Sequence, residues 1–152
     1  MSFFIHIENA ITKRLRDNVA DMQPIPKVYQ SRDLANIQDK SQGELSIFVA
    51  YNGIISIEHA APTVHHIGVI THEFLVWVVA KSAKNHGTQA GTRELADPVL
   101  EKVVCLLMGC KLARDLEPLR LVANSMSPAY SDNSYGYFPL TFHQRKQVRG
   151  GV

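Results

Sequence analysis

The sequence has little cysteine, little excess charge and no long apolar run. Its 152 residues contain two cysteines, Cys105 and Cys110, which cannot form a disulfide framework and favour a reducing compartment. Sixteen Lys and Arg against fourteen Asp and Glu give a formal net charge of +2, which argues against a general nucleic-acid binder. Apolar runs such as residues 74–80 are far too short to cross a bilayer.

Apolar spacing predicts two amphipathic helices. In residues 3–22 the apolar side chains recur at three- and four-residue steps, and a second such stripe covers about residues 93–110. Pro98 leaves two interpretations of the second helix open. In the preferred one the helix starts with Asp97 as its N-cap, and in the other a longer helix is kinked at Pro98. Both cysteines fall in this stretch, so we expect them to be core or near-core side chains.

Alternating patterns predict strands around these helices. Residues 71–82 are apolar on both faces, which indicates a central strand covered on both sides. Asn52 and Gly53 favour a hairpin turn between residues 45–51 and 54–58, with an irregular connection after it. Pro139 places the last strand at an edge or at a position with a free N–H. The remaining strands are predicted at residues 27–30, 119–124 and 135–142, with loops at 31–43, 59–70 and 125–134.

This element order predicts an α+β fold, a largely antiparallel β-sheet packed against two amphipathic helices. We expect one domain over residues 1–143, followed by a basic flexible tail at 144–152. The tail holds three basic residues and no acid, so the rest of the chain is slightly acidic.

No catalytic constellation emerges from the residues. Both cysteines are expected to be buried and inert, and the glycines of residues 87–92 lack the spacing of a phosphate-binding loop. One histidine-rich segment has the ligand types for zinc, nickel or copper, but in no known spacing. We therefore predict neither a cofactor nor a metal, and keep as a weak alternative a metal site of His59, His65, His66, His72 and Glu73.

A tyrosine-rich stretch is the best candidate for protein contacts, because tyrosine combines a large apolar ring with a polar hydroxyl. Basic side chains close to the end of the chain are candidates for contact with an acidic partner or with nucleic acid. The candidate interface residues are Tyr130, Tyr135, Tyr137, Arg145 and Lys146.

Several segments of the chain form a recognisable series. They are the helix Ile-Glu-Asn-Ala-Ile-Thr-Lys-Arg-Leu, Pro-x-Val-Tyr after it, Ile-Phe-Val-Ala-Tyr-Asn-Gly at residues 47–53, and residues 74–79, 97–109 and 135–142. Over roughly residues 5–145 this series resembles the tail proteins of Mu-like phages and prophages, which share a fold with phage tail terminators.

The resemblance implies a structural role rather than catalysis. Such proteins assemble as a ring, commonly a hexamer, that caps the tail tube and offers the surface for head joining. The implied partners are other copies, the tube and the head–tail connector, with DNA only passing through and no membrane. The implied places are the bacterial cytoplasm during assembly and the virion tail. Two alternatives stay open: a histidine-rich metal-dependent enzyme, and a small protein–protein adaptor.

Overall fold

The computed structural model describes residues 3–30, 45–61, 63–81, 90–123, 126–130 and 135–150. This part of the chain forms a sheet with two helices on one face, which confirms the predicted α+β class. The helices are α1 (Phe3–Val19) and α2 (Ala90–Leu107). The strands are β1 (Lys27–Gln30), β2 (Leu45–Ala61), β3 (Val64–Lys81), β4 (Arg120–Val122), β5 (Ala129–Tyr130) and β6 (Tyr135–Arg149).

The six-stranded sheet has the order β1-β2-β3-β6-β4, and β5 also pairs with β6. The β1–β2 pair is parallel, and the other pairs are antiparallel. The long strands β2, β3 and β6 therefore form the centre of the molecule. Within the described residues, no helix has the length and apolar character that a membrane crossing requires.

The core lies between the helices and one face of the sheet. The predicted stripe of α1 is confirmed, because Ile7, Ile11, Leu15 and Val19 are all buried. They meet a stripe of α2 and the alternate residues of the strands, which include Ile47, Val49, Val76, Val78, Val99, Val103 and Phe142. Val79 of β3 and Phe48 of β2 on the opposite face are also buried, as the doubly apolar pattern predicts, but Trp77 is only half-buried and both described helices pack on the first face.

The predicted turn at Asn52 and Gly53 is wrong. Strand β2 continues through both residues, and the register against β3 shifts between Tyr51 and Gly53. Gly53 has φ 103°, so its freedom to adopt the left-handed region serves a β-bulge rather than a hairpin. The predicted irregular connection at 59–70 belongs mostly to the two strands, which are joined by residues 62 and 63.

Helix α2 begins at Ala90, so the preferred start at Asp97 is wrong and the longer helix is correct. The turns before Pro98 bury Thr92 and Ala96, and this packing outweighs the hydrogen bond that proline cannot donate. Cys105 is exposed and Cys110 is half-buried, so the expectation of core positions fails for Cys105. The helix ends as predicted close to Gly109, whose φ is 75°.

The prediction of a flexible tail is wrong for residues 144–149, because β6 runs to Arg149 and pairs with β3 as far as Ile67. Strand β6 is not an edge, since β4 and β5 lie on its other side. Pro139 falls between the stretches that pair with β5 and with β4. The predicted loop 31–43 lies outside the described residues, and the predicted loop 125–134 contains β5.

Candidate functional site

A three-stranded arm extends from the sheet beyond the packed helices. It consists of residues 54–61 of β2, 64–71 of β3 and 145–149 of β6. Among its described side chains no large apolar residue is buried, and the hydrophobic core contains none of them. The arm is therefore ordered by strand pairing rather than by contact with the helices.

The register assigns the side chains of the arm to two faces, because directly opposite residues share a face. Ile70 lies between Ile57 and Lys146, on the face that also carries Phe74 and the helices. On the other face, Arg145 Nη2 lies 3.3 Å from Glu58 Oε2, and Arg145 Nε lies 3.6 Å from Glu117 Oε2. These ion pairs are partly solvated, so their net contribution to stability is small.

The outer edge of β2 in this arm is open in the described part of the chain. Strand β1 pairs with β2 only as far as Val49, and no other described strand adjoins β2 on that side. Three isoleucines of this edge are exposed: Ile54 by 44%, Ile55 by 45% and Ile57 by 59%. A long open edge with exposed apolar side chains is a surface for pairing with another chain. We refer to residues 54–61 as the isoleucine edge.

Two buried polar residues lie opposite each other where the arm meets the core. His72 of β3 is 2% exposed and pairs with Gln144 of β6, which is 0% exposed. His72 Nδ1 lies 3.0 Å from the Tyr51 hydroxyl. Burial, together with the positive charge of Lys146, lowers the pKa of His72, so the neutral imidazole is favoured here.

On the face opposite the helices, Glu73 is held between two side chains, Asn52 and His143. Asn52 Nδ2 donates to Glu73 Oε1 over 2.7 Å, and His143 Nε2 lies 3.0 Å from Glu73 Oε2. Burial opposes ionisation of this carboxyl group, but the hydrogen bonds from Asn52 and His143 lower its pKa on balance. This network stabilises the bulge by tying it to β3 and β6.

A cavity of about 350 Å³ opens beside β6, between the start of α1 and the loop 112–116. Its wall is mainly apolar, and Lys146 and Asp115 add charge at its edge. The apolar wall residues are Ile7, Ala10, Leu112, Ala113 and Leu116. None of the arm's isoleucines lines it, so the cavity and the isoleucine edge are separate surfaces of one chain.

The structure does not bring the five residues of the weak metal alternative together. The rings of His59 and His65 lie 5.7 Å apart near the end of the arm. His72 and Glu73 lie at its base and point to opposite faces of β3. In the described ranges no group of three or more His, Cys, Asp or Glu side chains could hold a metal ion.

The predicted interface residues form two separate groups. Tyr130 accepts a hydrogen bond of 3.1 Å from Arg93 Nε and packs edge-on against Phe138, while Tyr135 and Tyr137 start β6. Arg145 and Lys146 lie ten residues further along this strand, roughly 30 Å away at the rise of a β-strand. Their role in contacts stays a prediction.

Sequence reasoning missed the isoleucine edge and the cavity. The apolar run at residues 54–57 was available as a signal, but the Asn-Gly pair before it favoured a short returning strand. The cavity has no local signal, because its wall combines α1 with a loop about a hundred residues later.

Comparison with known proteins gives one family and a shared fold. The sequence model of the family described as phage tail terminator protein matches residues 1–150. A solved chain from "Virion of native gene transfer agent (GTA) particle" is 15% identical with a TM-score of 0.52, covering 95% of each chain. A second solved structure is 17% identical with a TM-score of 0.52, covering 100% of this chain and 99% of the other. No curated protein matches.

In the described part of the chain, the fold is a small α+β unit whose distinctive features are an open strand edge and an apolar cavity. The chain belongs to the phage tail terminator family, as the match over residues 1–150 shows. It is thus a structural component of a phage-type tail, and the resemblance to tail terminators predicted from the sequence is confirmed.

Proposed function

We propose that this protein is a tail terminator that caps the end of a tail tube as a closed ring and provides the head-joining surface. The observation that carries the proposal is the family match over residues 1–150. A ring of six copies is the size implied by the resemblance in the sequence. Assembly takes place in the bacterial cytoplasm, and the product stays in the virion tail.

The geometry supports ring formation because the chain has two different apolar surfaces. The isoleucine edge lies on β2 and the apolar cavity lies beside β6, with β3 between these two strands. Contacts between unlike surfaces are repeated from copy to copy and close into a ring when the rotation fits. A self-complementary patch would instead end at a dimer.

The charge distribution supports a ring through which DNA passes without being held. The formal net charge is only +2, and Arg145 already faces the carboxylates of Glu58 and Glu117. Each phosphate neutralised by a free cation adds salt-sensitive affinity. A lining with few such cations lets DNA slide.

The decisive experiment adds the purified chain to polymerising tail tubes of its own phage or prophage. We expect tubes of restricted length with added density at one end in negative-stain images. Tubes that grow to the same lengths with and without the chain, and that show no end density, would contradict capping.

Head joining is measured separately. Capped and uncapped tubes are mixed with DNA-filled, tailless heads, and joined particles are counted. We expect joining only to capped tubes. Equal joining to both would remove the head-joining role while leaving capping intact.

A further inference from the structure

We propose that Asn52 is a covalent modification site, at which the side-chain amide is lost as ammonia and a carboxylate replaces it. The hydrogen bond from Asn52 to Glu73 slows this reaction. The site lies at the bulge of β2, where the strand leaves the core and the arm begins. The product is a chain with a loosened arm. The reaction involves only this chain and water, so it is independent of tube capping and head joining.

The first argument is the sequence of Asn52 and Gly53. Loss of an asparagine amide begins when the main-chain nitrogen of the next residue attacks the side-chain carbonyl carbon. A side chain on that next residue obstructs the approach, and glycine has none. Asn52 alone of the seven asparagines in the chain is followed by glycine. The local chemistry therefore favours reaction at this asparagine.

The second argument is the freedom of the main chain at this point. The pairing of β2 with β3 passes from Tyr51 directly to Gly53, so Asn52 is the extra residue of the bulge. On the other side of β2, strand β1 pairs only as far as Val49. Among the described strands, ladder pairing therefore holds Asn52 on neither side. Its main chain can rotate toward the geometry that the attack requires.

The third argument is access to the reacting atoms. Asn52 is exposed, so water reaches its side chain and ammonia can leave. A Cβ added at Gly53 would meet no atom within 4 Å, which shows that the space beside this residue is open. The ring that joins the Asn52 side chain to the Gly53 nitrogen therefore fits without displacing a neighbour on that side.

The chemistry has two steps. The Gly53 main-chain nitrogen bonds to Asn52 Cγ, the bond between Cγ and Nδ2 breaks, and Nδ2 leaves as ammonia with the proton of the Gly53 N–H. Water then opens the cyclic imide at one of its two carbonyl groups. Opening at Cγ gives aspartate, and opening at the main-chain carbonyl gives isoaspartate, in which the main chain runs through Cβ and Cγ. One water is consumed and one ammonia is released, and nothing is oxidised or reduced.

Glu73 restrains the amide before the reaction. Asn52 Nδ2 donates to Glu73 Oε1 over 2.7 Å, and His143 holds the other oxygen of the same carboxylate. The Glu73 side chain is only 15% exposed, so little water competes for this charge-assisted hydrogen bond. The Asn52 side chain must turn toward its own main chain before the ring can close. This rotation gives up the hydrogen bond, which is why the bond slows the reaction.

Loss of the amide changes the base of the arm in two ways. A carboxylate at position 52 faces the carboxylate of Glu73, so repulsion between like charges replaces a hydrogen bond. Isoaspartate also adds one carbon atom to the main chain of β2 at the bulge, which disturbs the register of the residues beyond it. Both changes weaken the pairing of residues 54–61 with β3.

The reaction is followed by peptide mapping of the folded wild-type chain during incubation at neutral to mildly alkaline pH. We expect Asn52 to gain the mass of an amide-to-acid exchange, with isoaspartate among the products, before Asn9 or Asn18 of α1 changes. Asn52→Gln is the control, because its longer side chain must close a larger ring, and position 52 should then keep its amide. Conversion of Asn9 or Asn18 ahead of Asn52, or an acid at position 52 without isoaspartate, overturns the proposal.

Variants of two acids of β2 and β3 test the restraint. Glu73→Ala removes the acceptor and should speed the conversion of Asn52 about tenfold, the scale of one hydrogen bond to a charged group. Glu58→Ala removes an acid of the arm that pairs with Arg145 and should convert at the wild-type rate. Urea unfolding checks that each variant is folded during the incubation, and Glu73→Gln, with a neutral acceptor, replaces Glu73→Ala if that variant does not fold. Equal rates in the Glu73 and Glu58 variants, or an intact Asn52 in both, overturn the proposal.

The effect on the arm is measured separately with Asn52→Asp, which places the product carboxylate at the site from the start. We expect faster amide hydrogen exchange in residues 54–61 than in the wild type. Asn9→Asp adds the same charge at an exposed position of α1 and is the control, which should exchange like the wild type in the arm. If Asn52→Asp and Asn9→Asp exchange equally in residues 54–61, the loosening of the arm is overturned.

Discussion

Glu8 of α1 and the main-chain nitrogen of Tyr51 in β2 are joined by a hydrogen bond of 3.0 Å. Tyr51 lies two positions after Val49, which is the last residue of β2 that pairs with β1. The carboxylate of a buried glutamate therefore takes an edge N–H just beyond the end of the neighbouring strand. The same bond fixes the start of α1 over the sheet, next to the point where the arm begins.

Replacing Glu8 with alanine should destabilise the protein by about 1–2 kcal/mol, because the partly buried N–H of Tyr51 loses its acceptor. Glu8→Gln keeps an acceptor oxygen and should therefore lose less stability than Glu8→Ala. The measurement is the midpoint of urea unfolding, with Glu94→Ala as the control at an exposed position on the other helix. Equal losses for Glu8→Ala and the control would contradict the role of this bond.

Acid should destabilise the fold through His72. Burial and the charge of Lys146 lower the pKa of His72 below its ordinary value, so the unfolded chain takes up this proton first as the pH falls. The stabilisation is complete above about pH 6.5 and is lost as the pH falls toward the lowered pKa. His72→Gln should flatten this part of the stability curve, whereas His65→Gln at an exposed site should leave it unchanged.

Glu73 adds a second decrease in stability, at lower pH than the decrease caused by His72. Its pKa is lowered by the hydrogen bonds from Asn52 and His143, although burial opposes them. The stability from this group is present above about pH 4.5 and is lost as the pH falls through the lowered pKa. Asn52→Ala removes one donor and should shrink the loss. If urea unfolding shows the same decrease in stability at low pH for Asn52→Ala and the wild type, this hydrogen bond does not contribute to the pH dependence.

The arm should be sensitive to a single methyl group at Gly68. A Cβ there would lie 2.9 Å from the main-chain oxygen of Glu58, and a main-chain atom cannot move aside as a flexible side chain can. We expect Gly68→Ala to cost about 1–3 kcal/mol and to loosen the arm, seen as faster amide exchange in residues 54–61. Gly150→Ala, with nothing within 4 Å, is the matched control. Equal exchange in both variants would contradict this close approach.

The sequence predicts the parts of the fold that depend on periodic burial. The stripe of Ile7, Ile11 and Leu15 and the doubly apolar run around Val76 are regular patterns, and their burial follows directly from them. The course of β2 does not follow, because Asn52 and Gly53 have the same local preference in a hairpin turn and in a bulge. Only pairing with β3 over the whole length of the strand decides between them.

The candidate site was less predictable than the fold for a related reason. Arg145 and Lys146 looked like a solvated tail, since nothing in their neighbours indicates that Ile70 and Thr71 pair with them. The cavity depends on a contact between α1 and the loop 112–116 that no local pattern records. Residues that are far apart in sequence determine both surfaces.

Gln144 offers a test of how polar the base of the arm needs to be. Its Nε2 donates to the Arg145 carbonyl, but within the described residues its buried Oε1 has no hydrogen-bond partner. A buried acceptor without a donor is destabilising, so an apolar side chain of similar length should be tolerated. We expect Gln144→Met to leave stability unchanged or raise it by about 1 kcal/mol, a shift of roughly 2–4 °C in Tm for a chain of this size. Gln147→Met at an exposed position is the control. A large loss in Gln144→Met alone would mean that the amide, and not the space it fills, holds β6 against His72.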